Sequence, residues 1–269
     1  MSAADSAHGL QGAIAHLIVS SDTTLLADPD LRVDTLATKF GLTYEDRRTL
    51  RRVADARLVQ FGTALRRKRV ENLAYVFTRT LRHLDRLDGG LDRTVEAFWR
   101  ECPPRPSSVV HAYLESAAGF RDLIVRWPRG DAPWLPDLAT AEYALAELRF
   151  TADSSIEPPA EPQPSERRYE ISPAVRLLRL SWNVLAGATN EEFAEPERFW
   201  PDRHVVLHRR SEGGVTALAI SRSTFDLMEA CCSGARGHDQ LEQFWASGAG
   251  TLASKVTELC ERELLVVRC

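Results

Sequence analysis

Apolar positions in the first half of the chain recur at helical spacing, with turn-forming residues between the runs. Leu10, Ile14, Leu17, Ile18 and Leu25 share one helical face, and Asp28-Pro29-Asp30 interrupts it. Thr43 reads as an N-cap, with Asp46 three residues on in a capping-box arrangement. Leu50, Val53, Ala54, Leu58, Phe61 and Leu65 then mark one apolar stripe on a long helix, with Arg47, Arg48, Arg51 and Arg52 largely off it. A further helical run covers 73–87 and closes at Asp88-Gly89-Gly90. Another covers 91–100 and ends at Cys102-Pro103-Pro104, where proline cannot extend the ladder. Ser107-Ser108 caps a helix over 109–127, residues 128–136 are turn-rich, and Leu138, Ala141, Leu145 and Leu148 mark the last helix of this half. No period-two alternation occurs here, so residues 1–152 read as an all-α domain.

The pattern then changes. Over 153–168, Ser154, Ser155, Pro158, Pro159, Pro162 and Pro164 are spaced by Glu and Gln, a composition that favours an extended polyproline-like linker. Beyond it, 175–180 is rich enough in branched residues for a strand. Residues 204–210 and 215–220 flank Ser211-Glu212-Gly213-Gly214, which reads as a β-hairpin whose glycines supply positive φ. Helices follow at 225–232, capped by Ser223 or Thr224, at 240–245, capped by Asp239, and at 252–263, capped by Thr251; 264–267 is a short apolar exit. Residues 169–269 thus read as a winged-helix-like domain, a three-stranded antiparallel sheet plus three helices. The fold class expected for the chain is α+β.

Composition narrows the classes without choosing a chemistry. In 269 residues, 44% hydrophobic and 27% charged content suits a folded chain, and a formal charge of −4 argues against strong non-specific nucleic-acid binding. The longest apolar stretches, such as Leu264-Leu265-Val266-Val267, fall far short of the ~18 residues a membrane span requires. The start lacks a basic region ahead of an apolar run, so no secretory signal is expected. Five cysteines (Cys102, Cys231, Cys232, Cys260, Cys269) form no CxxC pair, and their odd number predicts a reduced, cytoplasmic protein.

Catalytic and metal motifs are weak. On a strand, His204 and His208 share a face but stand about 13 Å apart at ~3.3 Å per residue, too far for one metal at ~2.0–2.1 Å. Cys231 and Cys232 near His238 lack a third group to hold a base, and buried thiols are commonly small core residues. Gly248-Ala249-Gly250-Thr251 reads as a glycine-rich turn entering a capped helix rather than an anion cradle. Two features carry more. The run Arg66-Arg67-Lys68-Arg69, with Arg47, Arg48, Arg51, Arg52 and Arg57, makes the first half locally positive and suits nucleic acid or an acidic surface, unless acidic neighbours already solvate it. The second is the strand from Val215 to Ser221. At a sheet edge it could accept an extended peptide, with Thr216, Leu218 and Ile220 on one face and Val215, Ala217 and Ala219 on the other.

The passage Trp134-Leu135-Pro136-Asp137-Leu138-Ala139-Thr140-Ala141-Glu142-Tyr143-Ala144 resembles a motif of a bacterial partner-protein family. That family is historically labelled a DNA-binding domain, and its members accompany multinuclear non-haem iron-dependent oxidases. Leu58, Phe61, Leu65-Arg66, Asn72-Leu73 and the 109–120 segment with Tyr113 agree with it, and Tyr75-Val76-Phe77 stands where the family usually has a proline. The C-terminal half resembles a PqqD-like peptide-recognition element, in kind most similar to the TglI-type partner of 3-thiaglutamate biosynthesis and more distantly to the methanobactin partner. The resemblance spans most of residues 10–267. It implies a subunit with no catalytic residue, metal or cofactor of its own. Such a subunit binds the leader of a ribosomally made precursor peptide and docks on an oxidase that carries the iron. In the TglI-type system that oxidase excises the β-carbon of a C-terminal cysteine.

Together these readings predict a heterodimer of a helical oxidase-docking domain (1–152), a linker (153–168) and a peptide-recognition domain (169–269). The expected peptide-binding residues are Val215, Thr216, Ala217, Leu218, Ala219, Ile220, Ser221 and Arg222 of the edge strand. Leu252, Lys255, Val256, Leu259 and Arg262 of the last helix would form the groove wall. Arg209, Arg210, Arg222, Lys255 and Arg262 would attract an acidic leader, and Leu218→Asp is expected to abolish leader binding without unfolding the chain. The alternative is a DNA-binding regulator using the winged-helix-like half or the arginine-rich helix. Glu258, Glu261 and Glu263 on the last helix disfavour phosphate approach.

Overall fold

The computed structural model describes residues 3–20, 28–53, 55–102, 109–126, 130–150, 167–186, 195–210, 212–234, 236–245 and 250–268. The proline-rich segment 151–166, the cap at Ser107-Ser108, Leu25, Ser211, Gly248, Ala249 and Cys269 lie outside the described residues. The class is α+β, and the chain forms two compact units, Met1–Leu123 and Ile124–Cys269.

In the first unit the helices are α1 (Ala3–Ser20), α2 (Pro29–Phe40), α3 (Tyr44–Arg52), α4 (Asp55–Ala74), α5 (Thr78–Arg86) and α6 (Gly90–Glu101), followed by α7 (Val109–Arg126), which runs past the unit's end. Helix α2 starts where Asp28 accepts from Asp30 N and Leu31 N, with Pro29 at its first position. It stops at Gly41, whose φ of 60° an L side chain rarely adopts. The capping box of α3 forms as expected between Thr43 and Asp46. The long helix expected through Phe61 is instead two helices, because Val53 is extended (φ −70°, ψ 115°) and closes α3. Phe61 is accordingly exposed, not part of a buried stripe. The run expected over 73–87 also breaks, at Tyr75-Val76-Phe77. There Phe77 is fully buried and its ring meets Phe120 at 5.0 Å, while Phe98 meets Phe120 edge-on at 5.4 Å. Ala13, Leu17, Val33, Leu36, Ala37, Leu42 and Leu50 form a second cluster.

The second unit holds α8 (Leu135–Phe150), β1 (Arg168–Ile171), β2 (Val175–Trp182), β3 (Arg198–Arg209) and β4 (Val215–Ile220). It continues through α9 (Arg222–Cys232), β5 (Arg236–Gly237), α10 (His238–Trp245), α11 (Leu252–Glu261) and β6 (Leu265–Arg268). Two three-stranded antiparallel sheets form, ordered β5-β1-β6 and β2-β3-β4, where the sequence pattern predicts one. Strands β1 and β5 are too short to show alternation, and the expected apolar exit after α11 is β6. Helix α9 begins earlier than expected because Ser221, not Ser223 or Thr224, is its cap; Asp239 lies inside α10 rather than before it.

The unit boundary falls ahead of α8 rather than at the proline-rich segment, because α8 packs on β2 and β3. Its sheet face carries the buried Leu178, Leu180, Val205 and Leu207. The opposite face meets one core: Val175, Val206, Leu227, Met228, Cys231, Leu241, Trp245, Leu252, Val256 and Leu259, against which Leu177, Leu218 and Ile220 pack. The β2-β3-β4 sheet is therefore a middle layer between α8 and the helices that follow it.

Candidate functional site

The ladder of this sheet fixes which main-chain groups of β4 are free. In an antiparallel pair, residues alternate between those that exchange hydrogen bonds with the partner strand and those that point away from it. Arg210 N donates to Gly214 O (2.8 Å) and Arg209 N donates to Ala174 O (2.9 Å), so β3 bonds β4 and β2 at alternate residues. With His208 opposite Thr216, Val206 opposite Leu218 and His204 opposite Ile220, those β4 residues are the ones bonded to β3. Val215, Ala217 and Ala219 direct their N–H and C=O outward, and among the described residues no strand pairs with that side.

The other edge strand, β2, is held at one end only: among the described residues no strand pairs with its outer side, where Leu177 and Arg179 direct their N–H and C=O. A register shift between Leu180 and Trp182 turns two successive amides outward, and Asp137 of α8 accepts both, from Ser181 N at 2.6 Å and Trp182 N at 2.9 Å. Trp134 packs edge-on against Trp182 (5.9 Å), and Glu147 pairs with Arg176 (3.0 Å) further along α8. The segment containing Trp134 and Asp137 is thus a clasp on the β2 edge. Burial pushes the Asp137 carboxyl up from its ordinary value and Asp202 adds to this, while the two amide hydrogen bonds act in the opposite sense.

The expected peptide-binding residues separate accordingly. Ala217 and Ala219 are exposed and Val215 half-buried, at the open margin. Thr216, Leu218 and Ile220 alternate inward, and Leu218 and Ile220 pack on the core, so an Asp at 218 would be driven into apolar surroundings. The fold-neutral Leu218→Asp test expected from sequence does not hold for this reason. Ser221 is engaged as the α9 cap, accepting from Thr224 N at 3.2 Å. Leu252, Val256 and Leu259 are buried in the core rather than lining a groove, because the apolar face of α11 covers its own unit. The basic residues of α11 are also committed: Lys255 reaches Glu258 at 2.8 Å and Arg262 reaches it at 3.2 Å, and the Lys255 hydrogen bond holds that carboxyl below its usual range. Arg222 faces Asp226 at 3.8 Å.

His204 meets the Phe225 ring at a tilt, centroids 4.7 Å apart, and His208 is buried with its Nε2 unpartnered. Burial lowers the His208 pKa first, with Arg210 adding to this and Glu263 opposing it. Burial pushes the Cys231 thiol up to about 12 and raises Cys232 and Cys260, which keeps these thiols protonated and poorly nucleophilic. Among the described residues no group of three or more His, Cys, Asp and Glu side chains could hold a metal ion, and no helix is long and apolar enough to cross a membrane. In the basic run, Arg67 pairs with Glu71, Arg66 lies over Trp99 (5.0 Å), and Arg69 is buried over Phe98 (4.0 Å). Of that run Arg69 is turned inward, while Lys68 stays exposed.

A feature with no period-two signal lies beside the β4 edge. Strand β3 begins at Arg198, ahead of the His204 start expected from sequence, and Phe199, Trp200 and Pro201 lead into it; the Trp200–Pro201 peptide is cis. Proline within the run conceals the strand, since proline argues against a paired position. The clustering of aromatic and arginine side chains in Arg198-Phe199-Trp200-Pro201-Asp202-Arg203 was the available signal. No protein-family model matches the chain, and no curated protein matches it.

Proposed function

We propose that the chain is a non-catalytic, peptide-binding partner subunit of an iron-dependent oxidase. It captures an extended precursor peptide along the outer edge of β4 and presents the peptide's C-terminal cysteine to the oxidase. The observation that carries this reading is the outer edge of β4, where Val215, Ala217 and Ala219 direct their main-chain groups away from β3 with no strand beside them among the described residues. Unguarded edges invite aggregation, and proteins usually cover them. An edge left uncovered along β4 can be extended there by one added strand. Each main-chain hydrogen bond gained contributes only about 0.5–1.5 kcal/mol net, so the edge supplies register and direction while side chains supply selectivity. Holding the peptide remotely raises the effective concentration of its cysteine end at the oxidase. The oxidase partner, its iron and the β-carbon excision enter through the sequence resemblance.

The test is co-purification of the chain with a co-expressed multinuclear iron oxidase and a cysteine-ending precursor peptide. Ala217→Pro removes one outward N–H and leaves the bonds to β3 in place. The variant is expected to keep the oxidase and lose the precursor. Retention of the precursor by the variant, or failure of the wild-type chain to hold an oxidase, overturns the reading.

A further inference from the structure

Strand β3 outruns β4: it extends from His204, which pairs with Ile220 at the end of β4, back to Arg198. Among the described residues only β2 flanks this extension. A cleft of about 650 Å³ occupies the resulting step, lined by 197–204 together with Ala219 and Ile220. It therefore begins where the outward edge of β4 stops, and a peptide added to β4 would run directly into it.

The lining is suited to an acid. Trp200 is 88% exposed, an unusual position for the largest side chain and one typical of binding hot spots. The Arg198 guanidinium lies over the rings of Trp182 (5.8 Å) and Trp200 (5.9 Å), and Arg203 lies over Phe199 (4.3 Å). Neither arginine makes an ion pair among the described residues, although Glu197 and Asp202 also line the cleft. A guanidinium over an aromatic ring spends no N–H donor on an ion pair there, and its planar fork can meet a carboxylate bidentately. Of the cations expected from sequence to attract an acidic leader, Arg222, Lys255 and Arg262 face carboxylates of this chain.

We propose that this cleft is a specificity pocket for a glutamate or aspartate of the bound peptide, just beyond the segment paired to β4. The methylene stem lies on Trp200 and the carboxylate on Arg198 and Arg203. The inference rests on the peptide-capture reading, and the test separates the two. The probes are fluorescein-labelled ten-residue peptides of alternating threonine and valine, each with one glutamate at a different position, and a matching set with glutamine. Binding is read by fluorescence anisotropy at low salt, because surface charge is screened at high salt. For at least one placement, the glutamate peptide is expected to bind wild type about tenfold tighter than its glutamine twin. In the Arg198→Gln/Arg203→Gln variant that difference disappears while the glutamine peptides keep their affinity; in Ala217→Pro both sets weaken. Equal binding of the two sets by wild type, or an undiminished glutamate preference in the double variant, overturns the pocket alone. Unweakened binding by Ala217→Pro, or no binding of either set by wild type, overturns strand capture and the pocket together.

Discussion

Removing the clasp on β2 should cost a definite amount. Asp137→Ala deletes the acceptor of Ser181 N (2.6 Å) and Trp182 N (2.9 Å). A backbone donor left without a partner costs about 1–3 kcal/mol, and both amides are half-buried, so the gross loss is about 2–4 kcal/mol. Part is returned, because burial holds the carboxyl above its ordinary pKa and its charge is therefore itself kept at a cost. The net expectation is a loss of about 1–3 kcal/mol, within a total of about 5–15. Asp137→Asn keeps an oxygen acceptor and drops the charge, and should stay within about 1 kcal/mol of wild type. Urea unfolding at fixed pH measures both variants. Sedimentation velocity on Asp137→Ala should also show more concentration-dependent association than wild type, through the uncapped end of β2. The sign with pH follows from the raised pKa. The folded state binds the extra proton, so the contribution present below the ordinary 3.8 is lost as pH rises through the folded-state value. Asp137→Asn removes that slope. An alanine variant within about 0.5 kcal/mol of wild type, or an asparagine variant as damaged as the alanine one, refutes the clasp.

Two further outcomes follow from buried ionisable groups. His208 has a depressed pKa in the fold, so its contribution is complete above the ordinary 6.5 and is lost as pH falls from there through the folded-state value. Glu263 and Arg210 face it with opposite effects, and thermal melts of His208→Leu should show a smaller loss of stability over that window than wild type. Arg69 is buried with Nε and Nη1 unpartnered, and burial brings its pKa down to about 10. Arg69→Met should therefore be neutral or stabilising by urea unfolding, and a loss beyond about 1 kcal/mol refutes this reading.

The sequence is most legible where local chemistry acts alone. The capping box at Thr43, the Thr251 cap and the β3–β4 hairpin all follow from neighbours within a few residues. Val53, where α3 ends, packs against a cluster that includes Ala13 and Leu17, and Arg69 turns inward over Phe98; both sets of partners are distant in the chain, so the helical period runs through both without a mark. The same limit governs the site. Alternation along 215–220 correctly sorts its side chains into two faces, but it cannot say that the Leu218 face belongs to the core. Nor does it show that α11 spends Leu252, Val256 and Leu259 on that core. That the Trp182 end of β2 is capped is decided by Asp137, more than forty positions from the amides it holds.

The open edge of β4 has room for a single added strand. A second copy of the chain seated on β4 would consume the same donors that a peptide needs, so self-pairing and ligand capture would compete. Apparent peptide affinity would then weaken as the protein is concentrated, a dilution signature that separates an edge-built receptor from one with an enclosed pocket.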